Sequence, residues 1–315
     1  MLNGGTKASL IIPTYNRGDV LLETLRMALA QTYHDCEVIV VDQTATVSAG
    51  LRAFLNCAGD RIRYIRLPFP NLPAARNAGV LAAHGEIIIF VDDDVVFGRD
   101  YIGLHVRRYS DPSVGAVMGL TLSPGGASDE ETLAAARSLF GSREALADGL
   151  FSVSWVIGCN SSYRRRAILE AGMSDERFTG GACAEDVDLA VRVRHSGYKL
   201  LLDPRIRLTH LALPSGGCGN RTGDRDAREL ESCRLFLFFS IKNWNVLGPC
   251  EVLFNVWRSY RGYAFNRRLV QQRNKLMKRQ YLFIHSILAA FRMLRFDSNR
   301  LNCERNHQCY SSSEK

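Results

Sequence analysis

The sequence predicts an α/β protein with a mostly parallel central sheet, and three features of it lead there. Short β-branched runs alternate with segments whose apolar residues recur at helical spacing, the signature of βαβ units. Several of those runs end in polar or acidic residues, where open α/β sheets hold ligands. A chain of 315 residues with 46% hydrophobic residues, 23% charged residues and only 9 prolines can bury a core, which excludes a disordered or collagen-like protein.

Ser9-Leu10-Ile11-Ile12-Pro13 reads as a buried strand stopped by proline, and Asp19 to Gln31 as a helix with Val20, Leu21, Leu25, Ala28 and Leu29 on one face. The cycle repeats with a strand Glu37 to Asp42, a helix Val47 to Cys57 and a strand Arg61 to Leu67. A helix from Pro73 to Ala83 stops at Gly85, and the apolar strand Glu86 to Val91 enters Asp92-Asp93-Asp94. Downstream, Asp129 to Ala147 reads as a helix, Phe151 to Ile157 as a strand and Arg165 to Ala171 as a short helix. The glycine-rich stretch Gly180 to Asp186 runs into a helix, Val187 to His195, before a strand Tyr198 to Asp203. Ser215-Gly216-Gly217-Cys218-Gly219 reads as a boundary, which divides the chain into a body at 1–223 and a helical, amphipathic extension at 224–315.

Charge separates the two parts. Residues 229–315 hold 15 Lys and Arg against 6 Asp and Glu, so a chain of net charge +8 has a body close to neutral. Between Glu251 and Asp297 ten basic residues interleave with aromatics and there is no acid, a composition suited to an anionic surface. Its apolar runs, Leu235 to Ile241 and Tyr281 to Phe291, are too short to span a bilayer and suit an interfacial helix with Trp257, Phe265 and Phe283 at headgroup level. A solvated helical cap is the plainer reading of the same residues. Nucleic-acid binding is excluded as the main role, because the body lacks both the charge and a recognisable module. Nine scattered cysteines without a Cys-x-x-Cys pair, and a first segment without an export signal, fit reduced thiols and a cytoplasmic location. The tail segment Cys303 to Cys309 with His307 matches no recognised metal spacing.

Three consecutive carboxylates at a strand exit repel one another unless a cation balances them, and Mn2+ or Mg2+ with diphosphate oxygens would do so. A solvated acidic turn is the alternative. Asp42 can accept from a base N–H or a ribose hydroxyl, or can cap the next helix. Pro13-Thr14-Tyr15-Asn16-Arg17 offers a ring to stack, hydroxyl and amide donors and a cation for phosphate, and Arg76 offers an anion clamp or a surface charge.

Pro13-Thr14-Tyr15-Asn16-Arg17, Val40-Val41-Asp42, Ala75-Arg76-Asn77-Ala78-Gly79, Phe90-Val91-Asp92-Asp93-Asp94 and Glu185-Asp186, in this order, resemble the family 2 glycosyltransferases of the GT-A fold over residues 8–212. The resemblance implies a GT-A catalytic domain at 1–223 that transfers sugar from a nucleotide-sugar, UDP-sugar being the expected donor, with inversion at the anomeric carbon. It assigns Asp42 to the base, Asp92 to the ribose and Asp94 to the metal, with Pro13, Thr14, Tyr15, Arg17, Arg76 and Asp93 beside the nucleotide. Gln43-Thr44 departs from the Asp-Gly-Ser of many relatives. Inversion needs a carboxylate base at the acceptor, which points to Asp186 with Glu185 beside it, at the start of a helix whose dipole favours the ionised form. His210, after a strand, falls where relatives place a histidine near the diphosphate or metal, while Trp155 suits a sugar face or, more simply, the core. The implied acceptor is a saccharide or lipid-linked saccharide in bacterial surface polysaccharide synthesis, met at the inner face of the plasma membrane. A nucleotide-sugar-binding regulator on the same fold is the competing function; it would need Asp42 and Asp92 but not Asp186.

Overall fold

In the computed structural model, which describes residues 6–142, 145–217, 225–264 and 273–294, the first half of the chain is a regular βα alternation. Strand β1 (Ala8–Thr14) is followed by α1 (Val20–Leu29), β2 (Cys36–Asp42), α2 (Ala49–Ala58), β3 (Ile62–Arg66), α3 (Leu72–Ala82) and β4 (Ile87–Val91). β1, β2 and β4 are mostly β-branched or apolar because both faces of a parallel sheet are covered by helices, whereas β3 at the sheet edge carries Arg63 and Arg66. β1 pairs in parallel with β2 and β4, and β2 with β3.

The second half is less regular: β5 (Val95–Phe97), α4 (Tyr101–Val106), β6 (Val114–Leu122), α5 (Asp129–Leu139), β7 (Phe151–Ser152), β8 (Asn160–Arg164), α6 (Arg165–Glu170), α7 (Glu185–His195) and β9 (Lys199–His210). All nine strands share one sheet, ordered β3-β2-β1-β4-β8-β6-β9-β5 with β7 on β9. The expected α/β sheet flanked by helices is present, but the parallel pairing is interrupted here. β8 lies antiparallel to both β4 and β6, and β5 and β7 lie antiparallel to β9. The expected strand from Phe151 to Ile157 ends at Ser152: Val153 N–H still donates to the Leu200 carbonyl of β9, but Ser154 N–H turns to the Phe140 carbonyl. The expected strand Tyr198 to Asp203 instead continues through Pro204 to His210.

Apolar clusters fill both faces of the sheet, one around Leu10, Ile12 and Ile89 and the other around Ile11, Phe90 and Tyr163. A third cluster joins the body to the extension, which comprises α8 (Arg225–Lys242), α9 (Trp244–Leu247), α10 (Pro249–Ser259), a π-helical turn (Tyr260–Ala264) and α11 (Arg273–Leu294). Phe178 and Val191 of the body pack in it with Leu235, Phe238 and Phe283 of the extension. Phe283 is therefore a core residue, contrary to its expected place at the headgroups, because it lies on the side of α11 that meets α8. Among the described residues no helix is long and apolar enough to cross a membrane. Phe265, Cys218 and the Cys303 to Cys309 segment lie outside the described residues.

Candidate active site

The sheet brings the exits of β1, β2 and β4 together, since Thr14 is in register with Asp42 and Ile11 with Phe90. On these exits opens a cavity of about 290 Å³, lined by Pro13, Thr14, Tyr15 and Arg17 after β1, by Asp92 and Asp93 after β4, and by His210. His210 arrives from 118 residues away through a register: β5 pairs with the end of β9, which sets His210 opposite Val95, next to Asp94.

The three consecutive carboxylates have three different surroundings. Asp93 is buried, accepting from Thr14 Oγ1 at 2.7 Å and from Arg17 Nε at 2.8 Å. Burial, with Asp92 and Asp94 alongside, outweighs Arg17 and Thr14 and raises its carboxyl to about 6. Asp92 keeps 32% of its side chain exposed and lies 3.2 Å from His210 Nε2 and 3.9 Å from Arg76. Desolvation acts to raise its pKa, but the His210 hydrogen bond and the charges of Arg76, His210 and Arg17 prevail and hold it below the ordinary carboxylate value. Asp94 is fully buried; its Oδ2 is 3.3 Å from Arg17 and accepts from the Leu213 N–H at 3.1 Å. Its other oxygen lies 3.3 Å from His210 Nε2 and makes no hydrogen bond among the described residues.

Asp92, Asp94 and His210 thus offer three donor atoms, all within 4.8 Å of one another. A buried carboxylate oxygen without a hydrogen-bond partner is costly in a finished site, and two carboxylate oxygens plus one imidazole suit a hard divalent ion. These residues fit a metal.

Arg76, on α3, is 4% exposed, with its guanidinium over the Phe90 ring and paired to Glu185. Gly158 lies so close to this guanidinium that a Cβ there would collide with it. Glu185 is itself buried, one oxygen on Arg76 and the other without a hydrogen bond among the described residues. The structure places Glu185 behind Arg76, and neither Glu185 nor Asp186, both expected to be catalytic, is among the residues that line the cavity. Its neighbour Asp186 is more accessible: Oδ2 accepts from Gly158 N–H at 2.9 Å and Oδ1 from Val187 N–H at 2.8 Å. Ala184 before this pair adopts a left-handed φ of 69°, the bend that aims the first turn of α7 toward Gly158.

Asp42 is buried below the cavity, accepting from Tyr64 O–H at 2.6 Å and Thr44 N–H at 2.7 Å. Gln43 lines the cavity in its stead, its side-chain carbonyl held by the Asn71 N–H. Gln43 stood out in the sequence only as a departure from the pattern of relatives, and Tyr64 not at all. Leu72, Gly181, Gly216 and Gly217 complete the lining. Gly216 and Gly217 have φ of 78° and 76°, and Gly217 N–H donates to the Tyr15 carbonyl, so these two glycines of the stretch that read as a boundary pack down beside the cavity. Trp155 stacks edge-on against Phe140 at 4.5 Å and belongs to the core.

Residues 9–172 match the glycosyl transferase family 2. The chain belongs to that family. RfbC of Myxococcus xanthus, described as an O-antigen biosynthesis protein, is 26% identical over 66% of this chain and 18% of its own length. WcaA of Escherichia coli, a putative colanic acid biosynthesis glycosyl transferase, is 33% identical over 27% of this chain and 32% of its own. This chain spans less than a fifth of the length of RfbC and of two uncharacterized Rickettsia glycosyltransferases, of which it covers 17% each. The fold matches TarS of Staphylococcus aureus in complex with UDP-GlcNAc, with a TM-score of 0.64 and 13% identity over 89% of this chain and 81% of that one. It also matches a Pyrobaculum calidifontis mannosyltransferase in complex with GDP-Man and Mn2+, with a TM-score of 0.58 and 18% identity over 96% and 80%. The family fold of this chain is thus GT-A.

Proposed function

We propose that this chain is an inverting, metal-dependent glycosyltransferase, moving a sugar from a nucleotide-sugar, UDP-sugar foremost, to a hydroxyl of a lipid-linked saccharide in bacterial surface polysaccharide assembly. The observation that carries the reading is the donor set of Asp92, Asp94 and His210 at the rim of a cavity walled by the β1 and β4 exits. Relatives named for O-antigen and colanic acid synthesis support the polysaccharide, and neighbours with UDP-GlcNAc or GDP-Man and Mn2+ support the donor class.

In this reading Asp94 and His210, with Asp92, would hold Mn2+ or Mg2+, and a bound ion would offset the charge that develops on the leaving diphosphate. The ring of Tyr15 and the donors of Thr14 and Arg17 surround the nucleotide, with Asp93 fixing Thr14 and Arg17 in place. Asp42, clamped by Tyr64, presents its backbone neighbour Gln43 toward the base. Arg76, held between Phe90 and Glu185, keeps positive charge beside Asp92. Asp186 takes the proton of the acceptor hydroxyl as that oxygen attacks the anomeric carbon from the face opposite the diphosphate, which inverts the centre. The 1–223 division as catalytic domain belongs to this proposal, as does a peripheral position on the cytoplasmic face of the plasma membrane.

The test is a panel of nucleotide-sugars with a saccharide acceptor, with and without Mn2+, and the anomeric configuration of the product read by NMR. Metal-dependent transfer with inversion supports the reading. Retention of configuration, or transfer unaffected by chelator, overturns it.

A further inference from the structure

Among the described residues, nine of the twelve large apolar side chains that remain exposed lie between residues 244 and 291. Five form a row on α11: Met277, Tyr281, Ile284, Leu288 and Phe291, each 49–64% exposed. Alternating steps of four and three residues keep such a row on one side of a helix, here for about 21 Å at 1.5 Å per residue. The opposite side of α11 carries Phe283, Ser286 and Ala290, buried where it meets α8 and the π-helical turn. The row is therefore not the seam that holds α11 to the protein. Beside it runs a second row, Lys278, His285 and Arg292, all exposed and each seven residues from the next. On α10, Leu253, Phe254 and Trp257 are exposed as well, and Arg261 lies over the Trp257 ring at 5.4 Å.

We infer that α11 is an interfacial helix that lies flat on an anionic bilayer, its apolar row at the acyl boundary and Lys278 and Arg292 at the lipid phosphates. An apolar stripe this long costs free energy in water and marks a contact surface. Its charge decides what covers it. The stepping of the row would also suit pairing with a second copy, but no acidic residue occurs between Glu251 and Asp297, so a symmetric pair of α11 helices would oppose cation to cation. Anionic lipid complements both rows at once. Not every basic residue of the extension takes part: Arg279 is bound to Asp226 and Glu229 and stacked over Tyr263. The inference deepens the proposed lipid-linked acceptor by naming the face that meets the membrane, yet its observations are independent of the active site.

The test is sedimentation of the full chain with vesicles of phosphatidylcholine alone or mixed with phosphatidylglycerol, over a range of salt. The chain is expected to favour the mixed vesicles, in part salt-sensitively. Ile284→Gln with Leu288→Gln should lower partition on both vesicle types by about tenfold or more. Lys278→Gln with Arg292→Gln should lower it only on the anionic ones, by about fivefold per charge. Circular dichroism unchanged in these surface variants confirms that folding is not what was lost. Equal partition on neutral and anionic vesicles overturns the inference, as does undiminished binding of the Ile284/Leu288 variant. A dimer seen by analytical ultracentrifugation without lipid, and abolished by that variant, would assign the row to a second copy and overturn it too. No arm measures sugar transfer, so this inference and the enzymatic reading can fail separately.

Discussion

Asp186 and Glu185 are adjacent in sequence yet have opposite surroundings, one on backbone N–H groups at the start of α7, the other buried on Arg76. Replacing Asp186 by Asn keeps size and polarity but removes the proton acceptor. Transfer is expected to fall by about 10²-fold or more while nucleotide affinity is retained, as separate kinetics and binding titrations would reveal. Near-normal turnover would remove Asp186 from the mechanism. A different residue contributes to acid sensitivity. His105 is fully buried, bonded to Ser162 and stacked against Tyr101, and burial lowers its pKa from 6.5 to about 3 despite the opposing charge of Asp203. The unfolded chain therefore takes up a proton below 6.5 that the folded chain refuses until about 3, and stability is lost as pH falls through that window. His105→Gln should flatten the pH dependence of denaturant-induced unfolding by up to about 1.4 kcal/mol per pH unit; pH curves parallel to those of the parent would refute it.

Elements differ in how plainly the sequence announces them. β1, β2 and β4 are continuous β-branched runs and were legible, as were the acidic residues at their exits, because a strand covered on both faces has little choice of side chain. β8 was not: Asn160-Ser161-Ser162 carries no apolar or β-branched signal, and its polar side chains sit at the centre of the sheet paired with Tyr101, His105, Tyr109 and the Leu120 carbonyl. Similarly, His210 stood out as a residue, but its place beside Asp94 depends on the antiparallel β5–β9 register, which no local pattern encodes. The clamp between α7 and α8 was also hidden. Asp188, fully buried, accepts from Arg192, Lys242 and Asn243, and Lys242 also reaches Asp175 at 2.6 Å. Lys242→Met leaves two buried carboxylates short of a cation and should cost about 3 kcal/mol in chemical denaturation, against an expectation near zero for a surface lysine.

At the scale of the molecule, the charge asymmetry between body and extension was plain in the sequence, but their shared core was not, since it needs Phe178 and Val191 to meet α8 and α11 across more than forty residues. Cutting the chain after Gly223 would expose that core and remove Lys242 from Asp188, so the truncated body should melt lower than the full chain and aggregate. A truncated body as stable as the parent would mean that the cluster contributes little. The extension thus both shares a core with the body and carries the exposed row of α11.

The central claim is that Asp92, Asp94 and His210 hold a divalent ion for a nucleoside diphosphate, and calorimetric titration of UDP into the full chain tests it most directly. With Mn2+ present the parent should bind UDP, without it binding should be weak, and Asp94→Ala should abolish the difference while leaving the far-ultraviolet dichroism unchanged. Tight UDP binding by Asp94→Ala in Mn2+, or by the parent in chelator, would contradict the assignment.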